Sequence, residues 1–407
     1  MGVRCGCEVI RISLDAPSHR TTRLAITILT LGLIVSLIYH ALHRHWLQPA
    51  RYPFDSFMCA SGSRFSDFDS MMDAGHANVM TPIVIALGWI CRQITQRTSY
   101  AFSLGVFTLG WLYLLAYGLR KLVSPNFRPV FCPELWLMIL SYPVLFNTDR
   151  GNPAGYVAAF IALGFIQWRQ RRDGWAAFFF ALATAIKITP AILGLFFIRE
   201  RRWKAAILQI LWTAVLTLGP VWFVSHHVLP GYSLQKFKFG MQDYFIRFVL
   251  GNDGLPWGSS LWGGIKLMLY WCGKADILPT MKAILPFYNV LSMGSLLLLV
   301  VLFAFNVVPD NEGILLITCW LVLMPQVTAD YYLSFLLIPL VILCAENQSS
   351  TRWSVILLSL CVIPKAYMHL PRLEAVTIGS LINPILLVIV FFASLRAPLQ
   401  RLAAKSV

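Results

Sequence analysis

From residue 23 to residue 395 the chain is a succession of long apolar runs, each broken by a short polar turn. The runs predict helical spans at 23–42, 77–92, 99–118, 131–147, 153–168, 174–198, 203–225, 283–305, 313–327, 331–345, 352–367 and 375–395, with a weaker apolar stretch at 259–272. That amounts to about 11–13 spans of an all-α polytopic membrane protein. Several runs fall short of the roughly 20 residues a helix needs to cross the hydrocarbon. Tilted, re-entrant or half-helical segments are therefore expected. Two connections are long, 43–76 and 226–258. The domain organisation reads as a cytoplasmic tail at 1–22, one transmembrane domain at 23–395 and a basic cytoplasmic tail at 396–407. The first span reads as an uncleaved signal anchor, because His40, His43, Arg44 and His45 follow it where a cleavage site would need small residues.

Composition agrees with a membrane solvent. Of 407 residues 58% are hydrophobic and 13% charged, against about 25% charged in soluble domains. The net charge of +15 would suggest nucleic acid in a soluble protein. Here the cations cluster in turns, Arg169-Gln170-Arg171-Arg172 and Arg199-Glu200-Arg201-Arg202-Trp203-Lys204. That is the pattern of cytoplasmic loops facing anionic lipid, so membrane lipids are the expected partners and nucleic acid is excluded. Strict alternation of spans would put these two clusters on opposite faces, whereas the positive-inside rule prefers both inside. Lys187 and Pro190 lie between them, and a broken hairpin would resolve the conflict. The nine cysteines lie mostly in or near apolar runs and read as small packing residues. Cys5-Gly6-Cys7 is too little for a zinc site.

Four polar stretches could carry chemistry. The first long loop holds Asp55, Asp67, Asp69 and Asp73 with Arg64 and His76. A carboxylate there can take a proton from a sugar hydroxyl as it attacks, against the bland reading of a solvated loop. Asn147-Thr148-Asp149-Arg150-Gly151-Asn152-Pro153 interrupts two apolar runs. Its Arg150 can fork onto phosphate and its Gly151 admits close backbone approach, although an ordinary turn has the same composition. Lys187, in Ala185-Ile186-Lys187-Ile188-Thr189-Pro190, sits deep in an apolar segment, where a cation costs about 2.5–3.5 kcal/mol. A phosphate would be a sensible partner for it. Pro325-Gln326-Val327-Thr328-Ala329-Asp330-Tyr331-Tyr332 joins two spans. Its aromatics suit an interfacial anchor equally well. The second long loop carries Trp222, His226, His227, Tyr232, Tyr244, Trp257 and Trp262. Such aromatic faces fit sugar rings and the membrane interface alike.

The stretch from Asn147 to Lys204 resembles glycosyltransferase family 87, polyprenol-phosphate-sugar-dependent enzymes of superfamily C. The resemblance rests on Arg150-Gly151-Asn152, Gly174, Lys187-Ile188-Thr189-Pro190 and Arg201-Arg202-Trp203, in that order. The Arg-Gly-Asn form is also similar to mannosyltransferases of the glycolipid-anchor pathway. The resemblance implies a superfamily C architecture and a catalytic aspartate in the first outer loop. Asp67-Phe68-Asp69-Ser70-Met71 best matches that motif, with Met71 in place of the usual aromatic, so Asp67 is expected as base and Asp69 as its substitute. It further implies that Arg150, Asn152 and Lys187 bind donor phosphate or hold the site. Many members carry a Ser-Trp-x-His-His segment. Here Thr328-Ala329-Asp330-Tyr331-Tyr332 stands in its place, leaving Asp330 or Tyr331 to any role the histidines have.

The resulting expectation is a membrane hexosyltransferase, most simply a mannosyltransferase. It would take its sugar from a polyprenyl-phosphate donor and pass it to a lipid-linked glycan or glycolipid at the outer side of a bacterial inner membrane. No cofactor and no obligatory metal are expected. Two rivals share the apolar pattern. A flippase or transporter of lipid-linked sugars would show paired halves with broken helices, which are not evident. A surface-polysaccharide polymerase or ligase would concentrate arginines in one long loop, yet 226–258 has only Arg247. A degenerate member with a structural role is the third.

Overall fold

The computed structural model describes residues 19–42, 66–72, 80–123, 133–251, 255, 258–273, 277–346, 351–363, 369–370 and 373–405. Asp55, Arg64, Asp73, His76, Cys5 and Cys7 lie outside them. The helices are α1 (His19–Leu42), α2 (Ser66–Met72), α3 (Pro82–Arg97), α4 (Tyr100–Val123), α5 (Pro133–Ile139), α6 (Tyr142–Arg150), α7 (Ala154–Arg169) and α8 (Asp173–Ile186). They continue with α9 (Leu195–Arg199), α10 (Trp203–His227), α11 (Leu234–Tyr244), α12 (Leu261–Trp271), α13 (Leu278–Ala304) and α14 (Asp310–Leu323). The last three are α15 (Leu337–Glu346), α16 (Arg352–Val362) and α17 (Gly379–Lys405). One short antiparallel pair, β1 (His369–Leu370) and β2 (Leu373–Thr377), precedes α17.

The protein is an all-helical, multi-pass membrane protein. Among the described residues four helices, α4, α10, α13 and α17, are long and apolar enough to cross a bilayer unaided. Their apolar side chains face outward: Ile210 on α10 is 68% exposed and Phe287 on α13 is 77% exposed. Exposure of that kind is unfavourable in water and ordinary in lipid. The interior is built on α7 and α14, which are buried nearly all round, as a helix apolar on every face should be. Small residues let α7 approach its neighbours α4 and α8: Gly155 lies against Trp111 and Gly164 against Phe180.

The apolar segment 174–198 does not cross. Helix α8 ends at Ile186, Lys187 is extended (φ −141°, ψ 120°), and the chain returns through a 3₁₀ turn, Thr189–Gly194, into α9. Pro190 opens that 3₁₀ turn, where its missing N–H is no loss. The two basic turns consequently meet. Arg171 pairs with Glu200 at 2.5 Å, and Arg202 pairs with Asp173 at 2.5 Å and donates to the Trp168 carbonyl at 3.3 Å. The broken hairpin is therefore real, and it removes the conflict between alternation and charge. Both turns end their helices alike, with Arg171 (φ 60°) and Arg201 (φ 56°) in the left-handed region that follows many helix termini. Arg199 locks the base of the hairpin. Its guanidinium lies 5.3 Å from the Trp168 ring, donates to Val308 O at 2.8 Å and pairs with Asp310.

This basic end gathers the C-termini of α4, α7, α9, α13 and α17. Arg169 reaches Leu122 O, Lys405 reaches Phe305 O, and Arg401 pairs with Glu312. Residues 396–405, expected as a tail, thus continue α17 as helix. At the opposite end lie the hairpin tip, the α6–α7 turn and α2. Helix α3 touches that end at its N-terminus and again past its middle. Thr81 donates to Ile186 O at 3.2 Å, and the Cys91 carbonyl accepts from Ser103 in the first turn of α4 at 3.0 Å. The long connection after α10 is itself helical, α11 running into a π-turn at Phe245–Leu250.

Candidate active site

Helix α6 stops at Gly151, whose φ of 62° no L-residue adopts cheaply, and the Asn152 N–H closes the turn onto Asn147 O at 3.1 Å. The turn aims two side chains at α2. Arg150 donates through Nε to Asp67 Oδ2 at 2.9 Å and through Nη2 to Oδ1 at 2.9 Å. Asn152 donates its amide to Oδ2 at 2.9 Å, while its own Oδ1 caps α7 by accepting from Ala154 N at 2.8 Å. One carboxylate thus accepts three N–H groups. The Arg150 and Asp67 side chains are 14% and 21% exposed, so the pair is shielded but not sealed. Phe68 fixes α2 from the other side, packing on Tyr100 and Phe107.

Lys187 reaches the same centre from the hairpin tip. Its ammonium lies 5.2 Å from the Tyr331 ring centroid and 5.5 Å from that of Tyr332, within range of Asp67's field. It has neither a hydrogen bond nor an ion pair among the described residues. Tyr331 in turn stacks on Phe146 at 6.3 Å, whose ring also carries the Arg150 guanidinium at 5.7 Å. Five of the seven expected site residues therefore converge: Asp67, Arg150, Asn152, Lys187 and Tyr331.

The other two lie apart. Asp69 is exposed, two residues along α2, and accepts from the Tyr100 hydroxyl at 2.6 Å. Asp330 is 2% exposed. Tyr142 donates to its Oδ2 at 2.9 Å and Ser259 to its Oδ1 at 2.5 Å. It straps α6 to the turn before α12 and so positions Tyr331. One contributor stands out only in the fold: Tyr244, at the end of α11, lies within electrostatic reach of Tyr331 and Tyr332. Burial pushes its hydroxyl up to about 12. In sequence it was one aromatic among several in the second loop.

A family model, glycosyltransferase family 87, matches residues 79–325. The chain belongs to glycosyltransferase family 87. No curated protein and no solved structure matches it. The match takes in Arg150, Asn152 and Lys187 but not Asp67 or Tyr331. In this family 87 glycosyltransferase, the Arg150–Asp67 pair joins α2 to the matched region. As a glycosyltransferase it moves a sugar from a donor to an acceptor, and it does so as a multi-pass membrane protein.

Proposed function

We propose that this enzyme transfers a hexose, mannose in the simplest case, from a polyprenyl-phosphate donor to a hydroxyl of a lipid-linked glycan or glycolipid. The observation that carries this reading is a carboxylate held by three donors beside a cation that makes no ion pair among the described residues. Asp67 has about four lone-pair directions, and Arg150 and Asn152 occupy three of them. The remaining one, on Oδ1, is free to accept the acceptor's hydroxyl. As the acceptor oxygen bonds to the anomeric carbon, its proton passes to Asp67. The bond from that carbon to the phosphate oxygen breaks, and the electron pair leaves on the phosphate. Lys187, which makes no ion pair among the described residues and is flanked by Tyr331 and Tyr332, is the group that would receive it. The fork to Arg150 holds the carboxylate in one plane for a reaction whose transition state is oxocarbenium-like. A cation at the tip of an apolar hairpin also suits a donor whose phosphate is carried on a long hydrocarbon.

Orientation follows from charge. The ion-paired basic end is the cytoplasmic side under the positive-inside rule, which puts Asp67 and Lys187 at the outer side of a plasma membrane. The decisive experiment compares wild type with Asp67→Asn at equal abundance in membranes, supplied with radiolabelled polyprenyl-phosphomannose and a native lipid extract. Label should enter glycolipid with the wild type and fall about 10²–10⁴-fold in the variant, the range for loss of a general base. Undiminished transfer by Asp67→Asn would remove the base from this residue. Failure of the wild type with a panel of polyprenyl-phosphate sugars would remove the donor class.

A further inference from the structure

Between α2 and α3 lies a polar cleft that the reaction above leaves unused. It consists of two adjoining cavities, of about 460 Å³ and about 210 Å³. Asp69 stands at one end and His227 at the other, and Met72, Arg92 and Gln96 line both cavities. Gly88 makes the cleft possible. A Cβ there would come within 1.8 Å of the Met71 carbonyl oxygen, so only glycine lets α3 lie this close to α2. Arg92 and Gln96 are exposed, and Gln93 is half-buried. None of the three has a hydrogen bond or ion pair among the described residues. Trp89 is steadied by an edge contact with Phe223 at 5.2 Å and gives the smaller cavity an aromatic wall.

These groups describe a ligand. Two primary amides that both donate and accept match a set of hydroxyls. An indole wall suits the apolar face of a sugar ring. A guanidinium that makes no ion pair among the described residues, sharing the larger cavity with an Asp69 carboxylate already engaged by Tyr100, calls for a planar or tetrahedral anion. The larger cavity alone falls within the roughly 300–1,000 Å³ of ordinary ligand clefts. Position adds the rest. Met71, which lines the smaller cavity, is one helical turn from Asp67 on α2, so the cleft comes to within a turn of the base.

We propose that this cleft is the acceptor subsite and that it takes a sugar bearing a phosphate. Arg92 would hold the phosphate, and Gln93 and Gln96 the hydroxyls. The proposal rests on the transferase reading but is tested apart from it. The probe is glucose 6-phosphate, titrated by saturation-transfer NMR against the full chain in phosphatidylcholine nanodiscs, which contain no sugar detergent. Arg92→Gln should weaken binding about ten-fold, the effect of one lost charge-assisted hydrogen bond. Gln96→Glu, at an exposed position that folding tolerates, should weaken it at least as much by repulsion. Glucose and inorganic phosphate should each bind far more weakly than the sugar phosphate. Equal binding by wild type and Arg92→Gln would overturn the proposal. So would inorganic phosphate binding as well as the sugar phosphate, which would make this a bare anion or phospholipid-headgroup site. If Asp67→Asn abolishes transfer while Arg92→Gln leaves binding intact, the enzyme reading stands and the cleft does not. The reverse pattern leaves a sugar-phosphate site without the proposed base.

Discussion

Arg150 and Asp67 lie 83 residues apart in the chain and meet through two parallel hydrogen bonds of 2.9 Å each. A fork of this kind fixes distance and plane together, which a lysine at the same place cannot do. Arg150→Lys should therefore keep most of the charge and lose most of the orientation. Transfer is expected to drop by about 10–100-fold, the order of one misplaced catalytic group. In the Asp67→Asn background the same change should add little, because the two residues act as one unit. A four-way comparison of transfer rates in membranes checks this, and strictly additive losses would contradict it.

The hairpin makes a topological prediction. With Arg171 bonded to Glu200, cysteines introduced as Arg171→Cys and Arg201→Cys must be accessible from the same face. Asp243→Cys, on the exposed surface of α11, should be accessible from the other. An impermeant maleimide applied to intact cells should label Asp243→Cys at once. It should reach the other two only after permeabilisation. Opposite behaviour of Arg171→Cys and Arg201→Cys would mean that 174–198 crosses the membrane.

Gly151 is the tightest constraint on the site. A Cβ there would stand 2.5 Å from the Phe68 Cβ, on a backbone with φ of 62°. Gly151→Ala should cost about 1–3 kcal/mol and push α2, with Asp67, out of register. A lowered unfolding temperature together with near-complete loss of transfer is the expected result. Adding Phe68→Ala should not rescue it, because the atom struck is the Cβ that alanine retains.

Asp330 should behave as a strut. Its two oxygens each accept a buried hydroxyl, from Tyr142 and from Ser259. In Asp330→Asn one of those hydroxyls loses its acceptor, at a cost of about 1–3 kcal/mol. Abundance and thermal stability should fall, while transfer per folded molecule stays within a few-fold of wild type. Unchanged stability with abolished transfer would move Asp330 into the substrate site.

The apolar runs by themselves determined that this is an all-helical membrane protein and roughly where its helices begin and end. Helix periodicity, glycine and proline are local properties, and lipid leaves the backbone no alternative. The same local logic marked the Arg150-Gly151-Asn152 turn and the break at Lys187, because a glycine in a polar turn and a lysine deep in an apolar run are visible in one window of sequence. Which aspartate meets Arg150 was not local. Asp67 and Asp69 sit in the same short run, and only the packing of Phe68 against Gly151 turns the first toward Arg150 and leaves the second to Tyr100. Tertiary structure likewise decided that two basic turns share a face, that Asp330 is enclosed, and that α3 sets Arg92 in a cleft beside α2. Each of these depends on contacts between residues far apart in the chain, and the pattern of apolar and polar positions encodes which side of a helix is buried without naming what it is buried against.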